Sequence, residues 1–293
     1  MKKLRIEKVG NDMAQLLKGA PVAAAINEKT KEQAEALRQK GIVPTLAIIR
    51  VGERPDDIAY ETGACKRADA VGVAVLKLTL PAEASEQELE QTIYMVNDDT
   101  NIHGVLLLRP LPKTMNEERL VGLLAPEKDV DGITDGSLCG VFTGKKIGYA
   151  PCTAQACMEI LDFYGVDCTG KKATVVGRSL VVGRPAAMML MEKNATVTIC
   201  HTRTKDLSAQ MQQAEIVIAA AGRRGMFGAE CFSAGQIVLD VGIHFNEEGK
   251  MCGDVRTAEA EPVVEAITPV PGGVGAVTTA VLMSHVVEAA SKV

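Results

Sequence analysis

The stretch "KATVVGRSLVVGRPAAMMLMEK", residues 172–193, runs from an apolar segment through a glycine turn into an amphipathic segment. Its first six residues read as a buried strand and residues 182–193 as a helix. Between them Gly177, Ser179 and Gly183 take the three places of a GxGxxxG-like turn, with Ser179 in the middle place. Glycine at the first place allows the tight turn, and the third lets helix and strand pack closely. The helix N-terminus then presents free N–H groups to a pyrophosphate. Alone, these residues also fit an ordinary strand-to-helix turn. Their setting between a strand and a helix is what points to a dinucleotide.

Working outward, residues 195–200 ("ATVTIC"), 214–222 ("AEIVIAAAG") and 236–243 ("QIVLDVGI") read as further strands, and residues 206–213 ("DLSAQMQQ") as a helix. Residues 151–165 form a helix ahead of them, with Thr153 as candidate N-cap. This is a doubly wound α/β unit. The earlier part of the chain repeats the alternation. "VPTLAIIRVG" (43–52), "VAVLKLTL" (73–80) and "HGVLLLRPLP" (103–112) read as strands. Helices at 57–71 and 85–98 lie between them, the second opened by Ser85 with Glu88 three residues on, a capping-box signature. The βαβαβ order predicts a parallel sheet. Residues 277–292 form a last helix, placed to return to the first domain.

The composition limits what such a chain does. It has 293 residues, 47% of them hydrophobic, enough for two domains with full cores. No apolar run reaches the roughly 18 residues of a membrane span. The N-terminal "MKKLRIEKVGND" lacks the apolar region of a secretory signal. A net charge of −5 argues against general nucleic-acid binding. The eight cysteines contain no CxxC pair and read as reduced thiols of a cytoplasmic protein. The four histidines share no ligand spacing, so no metal is expected.

The end of the strand at 195–200 bears on the cofactor. NAD sites usually carry Asp or Glu there for the ribose hydroxyls. Here the chain runs into His201, Thr202, Arg203, Thr204 and Lys205, with Arg178 nearby in the glycine turn. A cationic, hydroxyl-bearing pocket suits a 2′-phosphate and favours NADP over NAD. Arg203 and Lys205 also fit the role of solvated loop charges. Two more stretches stand out. "EKDVDGITDGSL" (127–138) sets Asp129 and Asp131 two residues apart, in a site or in a solvated acidic loop. "ITPVPGGVGAVTTA" (267–280) holds two prolines and three glycines within seven residues. It reads as a rigid loop that lets a ligand approach the backbone, or as a connector.

Taken together, "VGERPDDIAY", "RPLP", "PEKDVDGI", "PCT", "VVGRSLVVGRP", "VLDVGI", "GDV" and "ITPVPGGVG" resemble, in order and over nearly the full length, the methylenetetrahydrofolate dehydrogenase/cyclohydrolase family. The resemblance implies two α/β domains around a cleft. A βαβ-type folate domain would span 1–148, completed by 270–293, and a Rossmann-like NADP domain 149–269. It implies a homodimer, and folate oxidation followed by hydrolysis of the methenyl product. It places Tyr60 against the folate, Asp131 on the pterin ring, and Pro271, Gly272 and Gly273 in the folate-side loop. It places Gly177, Arg178, Ser179, Thr202 and Ile243 around the cofactor, beside the Gly183 and Arg203 already read there from the glycine turn and the strand end. Ala154 and Ala276 stand where the family usually has proline.

One departure touches the chemistry. The family sets a lysine four residues after the tyrosine and a glutamine just before Leu-Pro-Leu-Pro. Here these places hold Ala64 and Leu108, with Arg109 following. Lys66 survives but lies about 200° around the helix from Ala64. Hydrolysis needs protons moved, whereas hydride transfer needs alignment. The residues therefore predict a dehydrogenase with weak or absent cyclohydrolase activity. The alternatives are a bifunctional enzyme with a substitute group, Glu61 first among them, and a folate-binding paralogue without catalysis.

Overall fold

The computed structural model describes residues 13–293. The stretch "MKKLRIEKVGND", read as no secretory signal, lies outside them. In chain order the strands are β1 (Gln15–Leu16), β2 (Thr45–Val51), β3 (Ala74–Leu80), β4 (Gly104–Leu107), β5 (Lys172–Val176), β6 (Thr196–Cys200), β7 (Ile216–Ala219), β8 (Ile237–Asp240), β9 (His244–Phe245), β10 (Met251–Cys252) and β11 (Ala266–Ile267). The chain divides into two compact units. One comprises residues 24–152 and 279–293, the other residues 13–23 and 153–278. The sequence reading drew its boundaries at 148/149 and 269/270. The difference is that residues 13–23 and 270–278 group with the nucleotide-type unit and residues 149–152 with the other.

In the unit of residues 24–152 and 279–293, β3, β2 and β4 form a three-stranded parallel sheet in that order. The predicted βαβαβ order is observed. The helix Glu86–Asp98 begins with the expected capping box. Glu88 N–H donates to Ser85 Oγ (3.2 Å), and Ser85 N–H donates to the Glu88 carboxylate (2.7 Å). Its buried Leu89, Ile93 and Val96 join Ala47, Ile49, Val105 and Leu107 of the sheet in one core. β4 is shorter than read. It ends at Leu107, because Pro110 and Pro112 remove ladder donors.

The other unit holds a six-stranded sheet in the order β1-β11-β8-β7-β5-β6, with every pairing parallel. The order reverses around β5, where doubly wound sheets place their ligands. β1 and β11 pair over two residues each, too short to leave a periodic pattern in the sequence. The helix at 152 begins at Cys152 itself, so Thr153 sits inside its first turn and is not the cap. Among the described residues no helix is long and apolar enough to cross a membrane, and all eight cysteines are free.

Candidate active site and cofactor pocket

The glycine turn is built by close packing. Gly177 has φ +136°, and a Cβ there would lie 2.2 Å from the Ala220 carbonyl oxygen. A Cβ on Gly183 would lie 2.2 Å from the Gly177 carbonyl oxygen. Neither position accepts a side chain without moving backbone. Ser179 has a different role from a middle glycine. Its Oγ accepts from the N–H groups of Val182 (3.1 Å) and Gly183 (3.4 Å), and its carbonyl accepts from Arg184 N–H (3.0 Å). The sequence reading offered the first helical amides to a pyrophosphate. Three of them are already engaged by Ser179.

A cavity of about 200 Å³ opens over this turn, its lining including Gly177, Arg178, Ser179, His201, Thr202 and Arg223. Val176, Ala220 and Ala221 at the ends of β5 and β7 complete its floor. No carboxylate lines it. Arg203 is exposed and is not among the lining residues. Its N–H instead donates to His201 Nδ1 (3.1 Å), which tightens the turn after β6. Ile243 is 58% exposed and lies outside the cavity lining. Arg223 was not singled out in the sequence, although the arginine pair "GRRG" directly after a strand was a signal.

Two buried carboxylates explain the "VLDVGI" and "GDV" motifs. Asp240 accepts from the N–H groups of Gly242 (2.9 Å), Asp254 (3.0 Å) and Val255 (2.9 Å). Burial pushes its carboxyl up to about 6, against the pull of those donors. Asp254 accepts from Gly222 N–H and Arg223 N–H, both at 2.9 Å, and pairs with His244 Nε2 at 2.8 Å. These bonds fix the loop that carries Arg223. A ribose 2′-phosphate suits this lining: two arginines, Thr202 and closely packed backbone, with no acidic residue.

In the other unit the helix Pro55–Val71 presents Tyr60. Its buried residues are Asp57, Glu61, Ala64, Ala68 and Val71. Tyr60 is 36% exposed. Burial, then the charge of Asp131, raise its pKa well above the ordinary range. Asp131 is half-buried, and its carboxyl is pushed up to about 6 by burial and by the charge of Asp129. The structure thus brings Tyr60 and Asp131 together. It also separates the roles of the two aspartates. Asp129 is fully buried and accepts from Ile133 N–H (3.0 Å), Thr134 N–H (2.7 Å) and Thr134 Oγ1 (2.7 Å), so it holds the turn. His285 donates from Nδ1 to the Val130 carbonyl (2.9 Å), and the Cys152 thiol donates to the same oxygen (3.3 Å). Burial lowers the His285 pKa, so the ring is neutral and Nδ1 carries the proton for that bond.

Glu61 sits differently from its expected role. Its carboxylate pairs with Arg50 Nε (2.8 Å) on β2 and Lys77 Nζ (2.9 Å) on β3. Burial alone would raise its pKa, but the hydrogen bonds from Lys77 and Arg50 outweigh burial and hold it below the usual range. Both oxygens are occupied by cations, which makes a poor base. Ala64 is fully buried and Leu108 is 6% exposed. Leu108 N–H donates to Ile49 O (2.9 Å), next to the Arg50 that holds Glu61. The loop of Pro271, Gly272 and Gly273 groups with the nucleotide-type unit, where Gly19 N–H donates to Gly272 O (2.7 Å).

Comparison with known proteins agrees with this geometry. Residues 17–131 match the tetrahydrofolate dehydrogenase/cyclohydrolase catalytic domain, and residues 151–293 match the NAD(P)-binding domain of the same family. The bifunctional protein FolD of Carboxydothermus hydrogenoformans is 48% identical, over 94% of this chain and 97% of its own length. The crystal structure of the bifunctional FolD of Campylobacter jejuni superposes with a TM-score of 0.93 at 37% identity, covering 95% of this chain and 99% of that one. The Trypanosoma brucei enzyme, solved with NADP and an inhibitor, gives 0.89 at 32% identity, covering 96% of this chain and 98% of that one. With both domains matched and the glycine turn built as the sequence required, the chain belongs to the tetrahydrofolate dehydrogenase/cyclohydrolase family.

Proposed function

We propose that this chain oxidises 5,10-methylenetetrahydrofolate with NADP and hydrolyses the methenyl product to 10-formyltetrahydrofolate, acting as a homodimer. What carries the reading is the match of both halves of the chain to this family, with Asp131, a half-buried carboxyl pushed up to about 6 by burial and by Asp129, close enough to Tyr60 for its charge to act on the phenol. Such a carboxyl is ionised at neutral pH and still basic enough to take a proton. NADP, when bound, supplies the hydride acceptor. Gly177, Arg178, Ser179 and Thr202 would hold it, with Gly183 packing the turn; Ile243, outside the cavity lining, stands where the family makes a backbone contact to the cofactor. Pro271, Gly272 and Gly273 contribute the folate-side loop.

Tyr60 stacks on the pterin and keeps its phenolic proton, because its raised pKa excludes the anion at any working pH. Asp131 orients the ring. In the second half-reaction water adds to the methenyl carbon and gives one proton to Asp131; the carbon–N5 bond then breaks with its electron pair going to N5, which takes the remaining hydroxyl proton as the formyl C=O forms. This assigns to Asp131 the proton transfer that the sequence reading gave first to Glu61. The relatives named bifunctional favour retention of hydrolysis over its loss. A dehydrogenase-only reading has one observation behind it. Ala64 and Leu108 are buried and apolar where the family places a proton-carrying pair.

The oxidation is checked by cofactor reduction. Purified chain given methylenetetrahydrofolate is expected to reduce NADP at least about tenfold more efficiently than NAD, the scale of one charge-assisted hydrogen bond. Equal or faster turnover with NAD would sink the NADP assignment.

A further inference from the structure

We propose that Arg223 binds the 2′-phosphate of the cofactor and sets the preference for NADP, a step that rests on the cofactor reading above. The 2′-phosphate lies at the end of β6, away from the helix-end amides that face a pyrophosphate and that Ser179 already engages, so side chains must hold it. Arg178 and Arg223 both line the same cavity. Among the described residues neither makes an ion pair. The adjacent Arg224, by contrast, is paired with Glu247 (3.5 Å).

The cavity also holds His201 and Thr202, at the end of β6, the place where dinucleotide folds read the ribose 2′ position. That strand end carries no acid for a free 2′-hydroxyl. Arg223 is held in place as well as charged. Asp254, with no exposed surface, accepts from both Gly222 N–H and Arg223 N–H and is itself tied to His244. A cation on a fixed backbone loses less freedom on binding an anion than one on a loose loop. Arg223 is therefore a specificity-determining residue, separate from the glycine turn.

The test is titration of NADPH and NADH, followed by cofactor fluorescence, into the full chain and into R223Q and R223K. Melting curves confirm that the variants fold, and the side chain is exposed, so substitution is tolerated. R223Q is expected to weaken NADPH binding by about tenfold and NADH binding by less than about twofold. R223K is expected to recover part of the loss, as a point charge without the guanidinium fork. Unchanged NADPH binding in R223Q would overturn the inference. So would an equal loss for both cofactors, which would place Arg223 on the shared pyrophosphate. A parent chain that binds both cofactors equally would refute the NADP reading itself and this inference with it. A parent preference that survives R223Q would refute the inference alone.

Discussion

Asp131→Asn is expected to slow methenyl hydrolysis by about 10²–10⁴-fold, the usual worth of a general acid–base group, while leaving the chain folded. The amide keeps the shape and a hydrogen-bonding oxygen but takes no proton. The parent's hydrolysis rate is expected to fall as pH drops through about 6, where the carboxylate protonates. Stability supplies an independent check, with its own sign. The folded-state pKa lies above the ordinary 3.8, so the folded chain binds the extra proton between those values. The carboxyl therefore costs stability as pH rises from about 4 to 6, and the full cost persists above that. Removing the charge is expected to raise stability at neutral pH by on the order of 1–2 kcal/mol, discounted for partial exposure, and to change nothing near pH 3. Thermal melts at the two pH values read this directly. An Asp131→Asn chain that hydrolyses at the parent rate would remove Asp131 from the chemistry.

The second large effect concerns the replaced pair. A64K together with L108Q is expected to raise methenyl hydrolysis by about 10–100-fold over the parent and to leave hydride transfer within a few-fold. Hydride transfer depends on alignment, which neither position supplies. A64K alone is expected to cost several kcal/mol, because Ala64 has no exposed surface and a lone ammonium there would be buried without a partner. Glutamine at 108 offers that partner, so the double variant is expected to regain part of the loss. A double-mutant cycle on melting temperature and on rate measures the coupling. Additive effects would mean that the two positions do not interact in this chain.

Much of the fold was legible because local pattern and tertiary structure agree. The strands at 45–51, 172–176 and 237–240 are largely buried apolar runs, and Ser85 with Glu88 carries its capping geometry within four residues. The failures lie where long-range bonds decide. β1 and β11 exist only because they pair with each other and with β8. Thr153 has the chemistry of a cap, but the helix starts one residue earlier.

The site shows the same division. Gly177 and Gly183 were readable, since their spacing reports a backbone requirement. That Ser179 turns the helix amides inward was not, because the sequence does not say which donor a hydroxyl meets. Asp129 and Asp131 look equivalent in "KDVD". Only the bonds from Ile133 and Thr134 reveal that Asp129 holds the turn, leaving Asp131 for the site. Glu61 shared a helical face with Ala64 and seemed free. The cations that occupy it come from β2 and β3, at 50 and 77, beyond the reach of helical spacing.

The most direct measurement is the loss of 5,10-methenyltetrahydrofolate absorbance on adding the purified chain, against the uncatalysed rate. A parallel reaction with methylenetetrahydrofolate and NADP shows that the same protein is active. The expected result is catalysed loss whose rate falls below about pH 6, with reduced cofactor forming in the parallel reaction. Reduced cofactor without any catalysed loss would contradict it, and would make Ala64 and Leu108 the marks of a dehydrogenase that has given up hydrolysis.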